Sequence, residues 1–269
     1  MLLAIDVGNT QTVVGMFGAG PSEAPPSPDV GELLHHWRIA TESERTADEY
    51  ALLITHLLDL NDLDVADTVT GVALSSGVPR VTAALREMFN RWYPVPVVVV
   101  EPGTRTGMPI LIDNPKEVGA DRIANAVAAF DLYGGPAIVV DLGTATTFDA
   151  ISTRGEYLGG AIAPGVEVSL DALFERAAAL RRVELVEAPR HLIGKSTVEA
   201  LQSGAVYGCA AMVDGMCRRL EDELGPSTVV ATGGLSELIG RVCTSVQHHE
   251  PWLTLHGLRL VFERNVVPR

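Results

Sequence analysis

Apolar and polar positions alternate along the chain in blocks that switch period. Leu2-Leu3-Ala4-Ile5 is an unbroken apolar run that enters Asp6-Val7-Gly8-Asn9-Thr10, and Gln11 to Phe17 reads as its return. The same pattern recurs at Ile138-Val139-Val140-Asp141-Leu142-Gly143-Thr144-Ala145-Thr146-Thr147, again strand, turn and returning strand. Both turns carry a carboxylate, a glycine and hydroxyls. Glycine lets a ligand approach the backbone, and free N–H groups and hydroxyls suit phosphate oxygens. A carboxylate repels phosphate, so its expected partner is a cation or a water. Two copies of one device predict two similar domains facing a shared cleft.

The remaining blocks predict alternating strands and helices, hence a largely parallel sheet after each initial hairpin. Leu33 to Ala40 reads as a third strand. Thr46-Ala47-Asp48-Glu49 is a capping box that opens a helix through Leu60. A strand over Val69 to Ser75, a helix over Val81 to Trp92 and a buried strand over Val95 to Val100 follow. Ile123 to Tyr133 is an apolar helix, and Gly134-Gly135-Pro136 marks the boundary between domains 1–134 and 135–269. The second half is read as strands 137–142, 146–152 and 157–163, a helix over about 166–180, an irregular stretch 181–195 and a long helix Thr197 to Leu224. Thr228 to Ala231 is a strand ending in Thr232-Gly233-Gly234. A helix, a short strand near Leu253 and a last helix from about Gly257 complete the chain.

Size and charge narrow the class. The chain has 269 residues, comfortable for two domains of roughly 130 each. Hydrophobic residues make up 47%, enough for two cores, and no apolar run approaches the ~20 residues of a membrane span. The N-terminus enters a strand at once, with no secretory signal pattern, so a cytoplasmic protein is expected. A net charge of −14 argues against non-specific binding to nucleic acid or to anionic membrane. The three cysteines, Cys209, Cys217 and Cys243, lack metal-site spacing and read as reduced core thiols.

Candidate chemistry sits at four places. Asp6 and Asp141 end their strands in the same register, each followed by glycine and threonine. Gly8, Asn9, Thr10 and Thr12 would face the phosphates of a nucleotide from one domain, and Gly143 and Thr144 from the other. Gly233-Gly234 is either a plain tight turn or a close approach to the nucleoside end. In Gly119-Ala120-Asp121-Arg122, Asp121 is either a helix cap with a solvated arginine or a general base beside an anion-gripping guanidinium. Other signals fail: Gly194-Lys195-Ser196 lacks the earlier glycine of a P-loop, Gly18-Ala19-Gly20 lacks the third glycine of a dinucleotide fingerprint, and the pairs His35-His36 and His248-His249 read as surface residues.

Taken in order, D-x-G-N-T, L-I-D-N-P-K-E-V-G-A-D-R (Leu111 to Arg122), D-x-G-T-A-T-T, G-G-A-I-A-P-G (Gly159 to Gly165) and T-G-G resemble the type III pantothenate kinases over nearly the whole chain. The resemblance implies an α/β fold of two duplicated actin-like, ribonuclease H-like domains around a central ATP cleft. It implies ATP-dependent phosphorylation of pantothenate, the first step toward coenzyme A. Residue by residue, it implies that Asp6, Val7, Gly8, Asn9, Thr10, Gln11, Thr12 and Val13 line the ATP phosphates, with Asp6 near Mg²⁺ through water. Thr144 contacts ATP, and the Gly233-Gly234 turn is expected as a further ATP-binding element. Asp121 is the proton acceptor, Gly119 to Arg122 contact pantothenate, and Asp141 binds K⁺ or NH₄⁺. Thr197 reaches substrate from the partner subunit of a homodimer. A monovalent cation can stand in for a lysine near the phosphates, where the sequence offers no obvious lysine. The chain departs from the family at Ile112, where members often carry an aromatic, and in the proline-rich insertion 19–29. Two other readings remain: a quiet relative acting as an accessory regulator, and another small-molecule kinase of the superfamily.

Overall fold

The computed structural model describes residues 1–18, 32–177 and 180–266, so the insertion 19–29 lies outside the described residues. In chain order the elements are β1 (Leu2–Val7), β2 (Gln11–Phe17), β3 (Leu33–Ala40), α1 (Ala47–Asp59), α2 (Val65–Thr68), β4 (Gly71–Ser76), α3 (Pro79–Trp92), β5 (Val97–Val99) and α4 (Ala120–Tyr133). Then come β6 (Ala137–Leu142), β7 (Ala145–Ile151), β8 (Tyr157–Pro164), α5 (Val166–Arg176), α6 (Thr197–Leu224), β9 (Thr228–Thr232), α7 (Ser236–Ile239), β10 (His248–His249) and α8 (Leu253–Val266).

The two sheets have one topology. The first runs β3-β2-β1-β4-β5 and the second β8-β7-β6-β9-β10. In each, the first three strands are antiparallel and the last two join parallel to the first. That is the duplication the repeated turns predict, in the α/β, actin-like form the family resemblance implies. Contacts divide the chain into one unit of Met1–Met108, Asn114–Ala128 and Thr254–Arg269, and a second of Pro109–Asp113 and Ala129–Leu253. The sequence duplication places a single cut at 134/135, whereas packing sends α8 back to the first unit. It also ties 109–113 to the second, because Leu111 N donates to Tyr157 O and Tyr157 N to Pro109 O, both at 2.8 Å.

In the first unit, Leu3, Ile5, Val14 and Leu74 point to one face of the sheet and pack on Tyr50 and Ile54 of α1 and Leu85 and Phe89 of α3. Helix α1 starts where the capping box puts it: Thr46 N donates to Glu49 Oε2 at 2.7 Å and Glu49 N to Thr46 Oγ1 at 3.3 Å. The opposite face carries α8, which Gly15 and Gly71 admit by lacking side chains. A Cβ on either would lie 2.5 Å from Leu255 or 2.1 Å from Phe262. In the second unit, Ile138, Val140 and Phe148 pack on Val206, Ala210 and Val213 of α6.

Four expectations are corrected. The strand near Leu253 is instead the pair His248–His249, and the last helix starts at Leu253. The run Trp252-Leu253-Thr254-Leu255 suits a strand locally, but Leu255, Leu258 and Val261 are buried at helical spacing. Gly257, which looked like a helix start, is interior because α8 crosses α4 closely: a Cβ there would sit 1.9 Å from Ala124 O. The strand expected at Val95 to Val100 is Val97–Val99, half-buried because it forms an edge and, among the described residues, pairs with β4 alone. The helix expected over 166–180 ends at Arg176. The four-residue α2, capped by Asp64 Oδ1 at 2.8 Å from Ala66 N, was not foreseen.

Candidate active site

The first turn is built by hydrogen bonds from two strands. Gly8 N donates to Gln11 O at 3.0 Å, closing the β1–β2 hairpin. Thr41, just past β3, braces it: its N donates to Thr10 O at 3.0 Å and its Oγ1 to Gly8 O at 2.8 Å. Its hydroxyl also shares a 2.9 Å hydrogen bond with Thr12 Oγ1. Asn9, Thr10 and Gln11 are exposed, Gly8 and Val13 half-buried, and Val7 and Thr12 buried. The side chains of Val7 and Thr12 therefore serve the interior, and their backbone is held in the sheet, Val7 between Thr12 and Ser76 and Thr12 between Val7 and Ile39.

Asp6 is half-buried beside this turn, and Ser75 Oγ donates to its Oδ1 at 2.5 Å. Burial pushes the Asp6 carboxyl up to about 7; the Ser75 hydrogen bond opposes the rise and the charge of Asp121 adds to it. Asp121 stands exposed in the first turn of α4, with its Oδ1 accepting from Arg122 N at 2.8 Å. Gly119 makes room for that carboxylate: a Cβ there would lie 2.4 Å from Asp121 Oδ1. Asp6 and Asp121 thus face one another electrostatically within a single unit. A carboxyl raised from 3.8 to about 7 binds protons more tightly folded than unfolded. Its contribution to stability is full below about pH 4 and is lost as pH rises toward 7. Asp6→Asn should therefore be more stable than the wild type at pH 8 without nucleotide or divalent ion, by roughly 1–2 kcal/mol, and the gap should narrow as pH falls below 7 and close near pH 4. Paired thermal melts check this; a gap that does not change with pH would refute it.

The second turn repeats the first with a different brace. Gly143 N donates to Ala145 O, and Gly165 N to Thr144 O, each at 3.1 Å. Gly165 thus takes the place of Thr41, and a Cβ on it would lie 2.2 Å from Thr144 O. Without a second hydroxyl there, Thr146, the counterpart of Thr12, has a buried Oγ1 with no hydrogen-bond partner. Asp141, at the end of β6, is half-buried, and Thr144 is exposed. Gly233 has φ +92°, and a Cβ on it would lie 2.4 Å from Asp141 Oδ1 and 2.7 Å from Leu142 N. The Gly233 carbonyl accepts from Ser236 Oγ at 2.7 Å, and Gly234 is exposed. Gly143 and Gly233 leave space around the Asp141 carboxylate that side chains would fill.

Asp6 to Val13 and Gly119 to Arg122 thus belong to the first unit, and Asp141, Thr144, Gly233, Gly234 and Thr197 to the second. Thr197 is the exposed first residue of α6, outside the second turn. Gly194-Lys195-Ser196 serves that helix: Ser196 Oγ accepts from Glu199 N at 3.2 Å and Lys195 N donates to Glu199 Oε2 at 2.7 Å. Ile112 is half-buried, its Cγ2 3.5 Å from where a Cβ on Gly159 would stand. His249 is exposed as expected, but His248 is half-buried and stacks on Tyr133 with ring centroids 4.1 Å apart. Cys209 and Cys217 are buried free thiols, and burial pushes Cys217 up to about 11 and the half-buried Cys243 to about 12. Sequence reasoning missed Thr41 and Ser75, whose roles arise from strands distant in sequence.

Among the described residues no group of three or more His, Cys, Asp or Glu side chains could hold a metal, and no helix is long and apolar enough to cross a membrane. The first is compatible with Mg²⁺, which binds through one or two carboxylates and substrate phosphates.

Comparison with known proteins agrees with this geometry. The profile of the type III pantothenate kinases matches residues 2–219. A type III pantothenate kinase of Streptomyces griseus subsp. griseus is 55% identical over 274 residues, covering 99% of each chain. One from Frankia casuarinae is 56% identical over 268 residues, covering 99% of this chain and all of its own. Among solved structures, a Campylobacter jejuni protein described as a Baf family transcriptional activator superposes with a TM-score of 0.60 at 17% identity, over 98% of each chain, and shares the fold. With more than half its residues held in common along its full length, and both turns intact in the register described, the chain belongs to the type III pantothenate kinase family.

Proposed function

We propose that the protein transfers the γ-phosphoryl group of ATP to the terminal hydroxyl of pantothenate, giving 4′-phosphopantothenate and ADP in the cytoplasm. The observation that carries this reading is the Asp6–Asp121 pair beside a turn of exposed hydroxyl and amide groups in one unit. Asp121 Oδ1 is engaged by its own helix, which leaves Oδ2 to accept the hydroxyl proton as that oxygen bonds to the γ-phosphorus. The β–γ bridging oxygen leaves with ADP. Arg122 would grip the pantothenate carboxylate, with Gly119 and Ala120 lining its path. The exposed Asn9, Thr10 and Gln11, with backbone N–H groups of the turn, would position phosphate oxygens, and Thr144, Gly233 and Gly234 would contact ATP from the second unit.

Asp6 fits a cation: its carboxyl is desolvated and lies near another acid, a charge that Mg²⁺, held through water, would balance. Bound Mg²⁺ would screen phosphate charge. Asp141 fits K⁺ or NH₄⁺, given the space left by Gly143 and Gly233. A homodimer, with Thr197 serving the partner's substrate, is supported by Leu192 and Ile193, 68% and 81% exposed just before α6, and by Val198 at 50%. A second copy covering them would remove that apolar surface from water.

The test is ADP release by wild type and Asp141→Ala, with and without pantothenate, in K⁺ and then Na⁺ buffer. Pantothenate-dependent release is expected in K⁺, with the K⁺ response weakened in Asp141→Ala. Turnover without pantothenate would refute the substrate, and an unaltered K⁺ titration in the variant would refute the cation site. Among superfamily kinases, the Asp113-to-Arg122 segment favours pantothenate over a sugar.

A further inference from the structure

The chain holds two lysines, and neither stands on a sheet. Lys116 lies in a short 3₁₀ turn, Pro115–Glu117, and Lys195 precedes α6. Several arginines of the first unit pair with acids: Arg80 with Glu44, Arg86 with Glu101 at 2.7 Å and Arg91 with Asp48 at 3.2 Å. Arg38 is placed differently. Strand register aligns Ser75, Asp6, Val13 and Arg38 in one row across β4, β1, β2 and β3. Paired residues share a face of the sheet, and residues two apart on a strand share it too. The row and Gln11 therefore face away from the core packed on α1 and α3. They occupy the turn end of the face whose other end α8 covers through Leu255 and Phe262. Arg38 is exposed, and its Nη1 donates to Gln11 Oε1 at 3.5 Å, which brings the guanidinium to the rim of the turn.

We propose that Arg38 binds a phosphate oxygen of the nucleotide held by the first turn. This deepens the kinase reading and rests on it. A guanidinium offers a planar fork of donors that suits phosphate, and it stays charged at any working pH. Asp6 and Asp121 make this end of the unit acidic, and a fixed cation in the same row offsets their repulsion of a polyanion. Gln11 would hold the arginine in place before the ligand arrives.

The experiment compares wild type, Arg38→Ala and Arg38→Lys by calorimetric titration with Mg·ATP, by the KM values for ATP and for pantothenate, and by melting temperature. Arg38→Ala should weaken Mg·ATP binding and raise the ATP KM by about 10- to 100-fold, the effect of removing a hydrogen bond to a charged group. The pantothenate KM and the melting temperature should stay unchanged. Arg38→Lys should recover part of the loss, because lysine restores the charge without the fork. Unaltered Mg·ATP binding in Arg38→Ala would overturn the assignment. A rise in the pantothenate KM alone would overturn it too, and so would a general loss that follows a lowered melting temperature. Wild-type protein that binds no Mg·ATP would overturn the kinase reading together with this assignment, so the two failures are distinguishable.

Discussion

Asp121→Asn is expected to lower kcat by about 10²- to 10⁴-fold while leaving ATP affinity nearly intact. Asparagine keeps the size of the side chain and can still accept from Arg122 N through its amide oxygen, so the start of α4 should survive. It cannot take a proton from a substrate hydroxyl. Losing the charge of Asp121 also relieves Asp6, whose carboxyl that charge helps to raise, so any change in nucleotide binding should be small and favourable. Steady-state kinetics with a parallel titration of ATP separate the two effects. Unchanged turnover would remove Asp121 from the chemistry. Equal losses of turnover and ATP affinity would make it a binding residue.

Gly233→Ala is expected to damage the second turn by about 2–4 kcal/mol and to abolish its ligand contacts. The strain has two sources. The backbone at φ +92° is one that residues with a Cβ rarely adopt, and the added carbon would meet Asp141 Oδ1 at 2.4 Å and the Leu142 backbone at 2.7 Å. Backbone cannot step aside as a flexible side chain can, so Asp141 would be pushed from its position. Gly215→Ala is the control. Inside α6 a Cβ there meets nothing nearer than Arg218 Nη2 at 4.0 Å, and the change should stabilise the helix by up to about 1 kcal/mol. Urea unfolding of both variants checks this. Equal stability for the two would show that the space beside Asp141 is not confined.

What the sequence makes legible here is what repeats. The strand-turn-strand around Asp6 and the one around Asp141 identify themselves by apolar runs and turn residues, and both sheets follow from them. The Thr46 capping box and the span of α6 are likewise local, set by neighbours within a few positions. The rest depends on residues distant in the chain. Ser75 donates to Asp6 across 69 positions. Thr41 closes a turn that ends 30 residues earlier. Gly257 lies inside a helix rather than at its start because Ala124 O stands against it. None of these leaves a periodic trace. The two turns were therefore readable while their braces were not. The return of α8 to the first unit was hidden for the same reason, since an apolar run does not say which sheet it covers.

The measurement that tests the central claim most directly is to follow the phosphoryl group itself. Wild-type protein is incubated with γ-labelled ATP, Mg²⁺, K⁺ and pantothenate, and the products are separated and identified by mass. The account predicts label in 4′-phosphopantothenate, one for each ADP formed, with Asp121→Asn yielding almost none. Label in inorganic phosphate alone, or transfer to a sugar with pantothenate untouched, would contradict it.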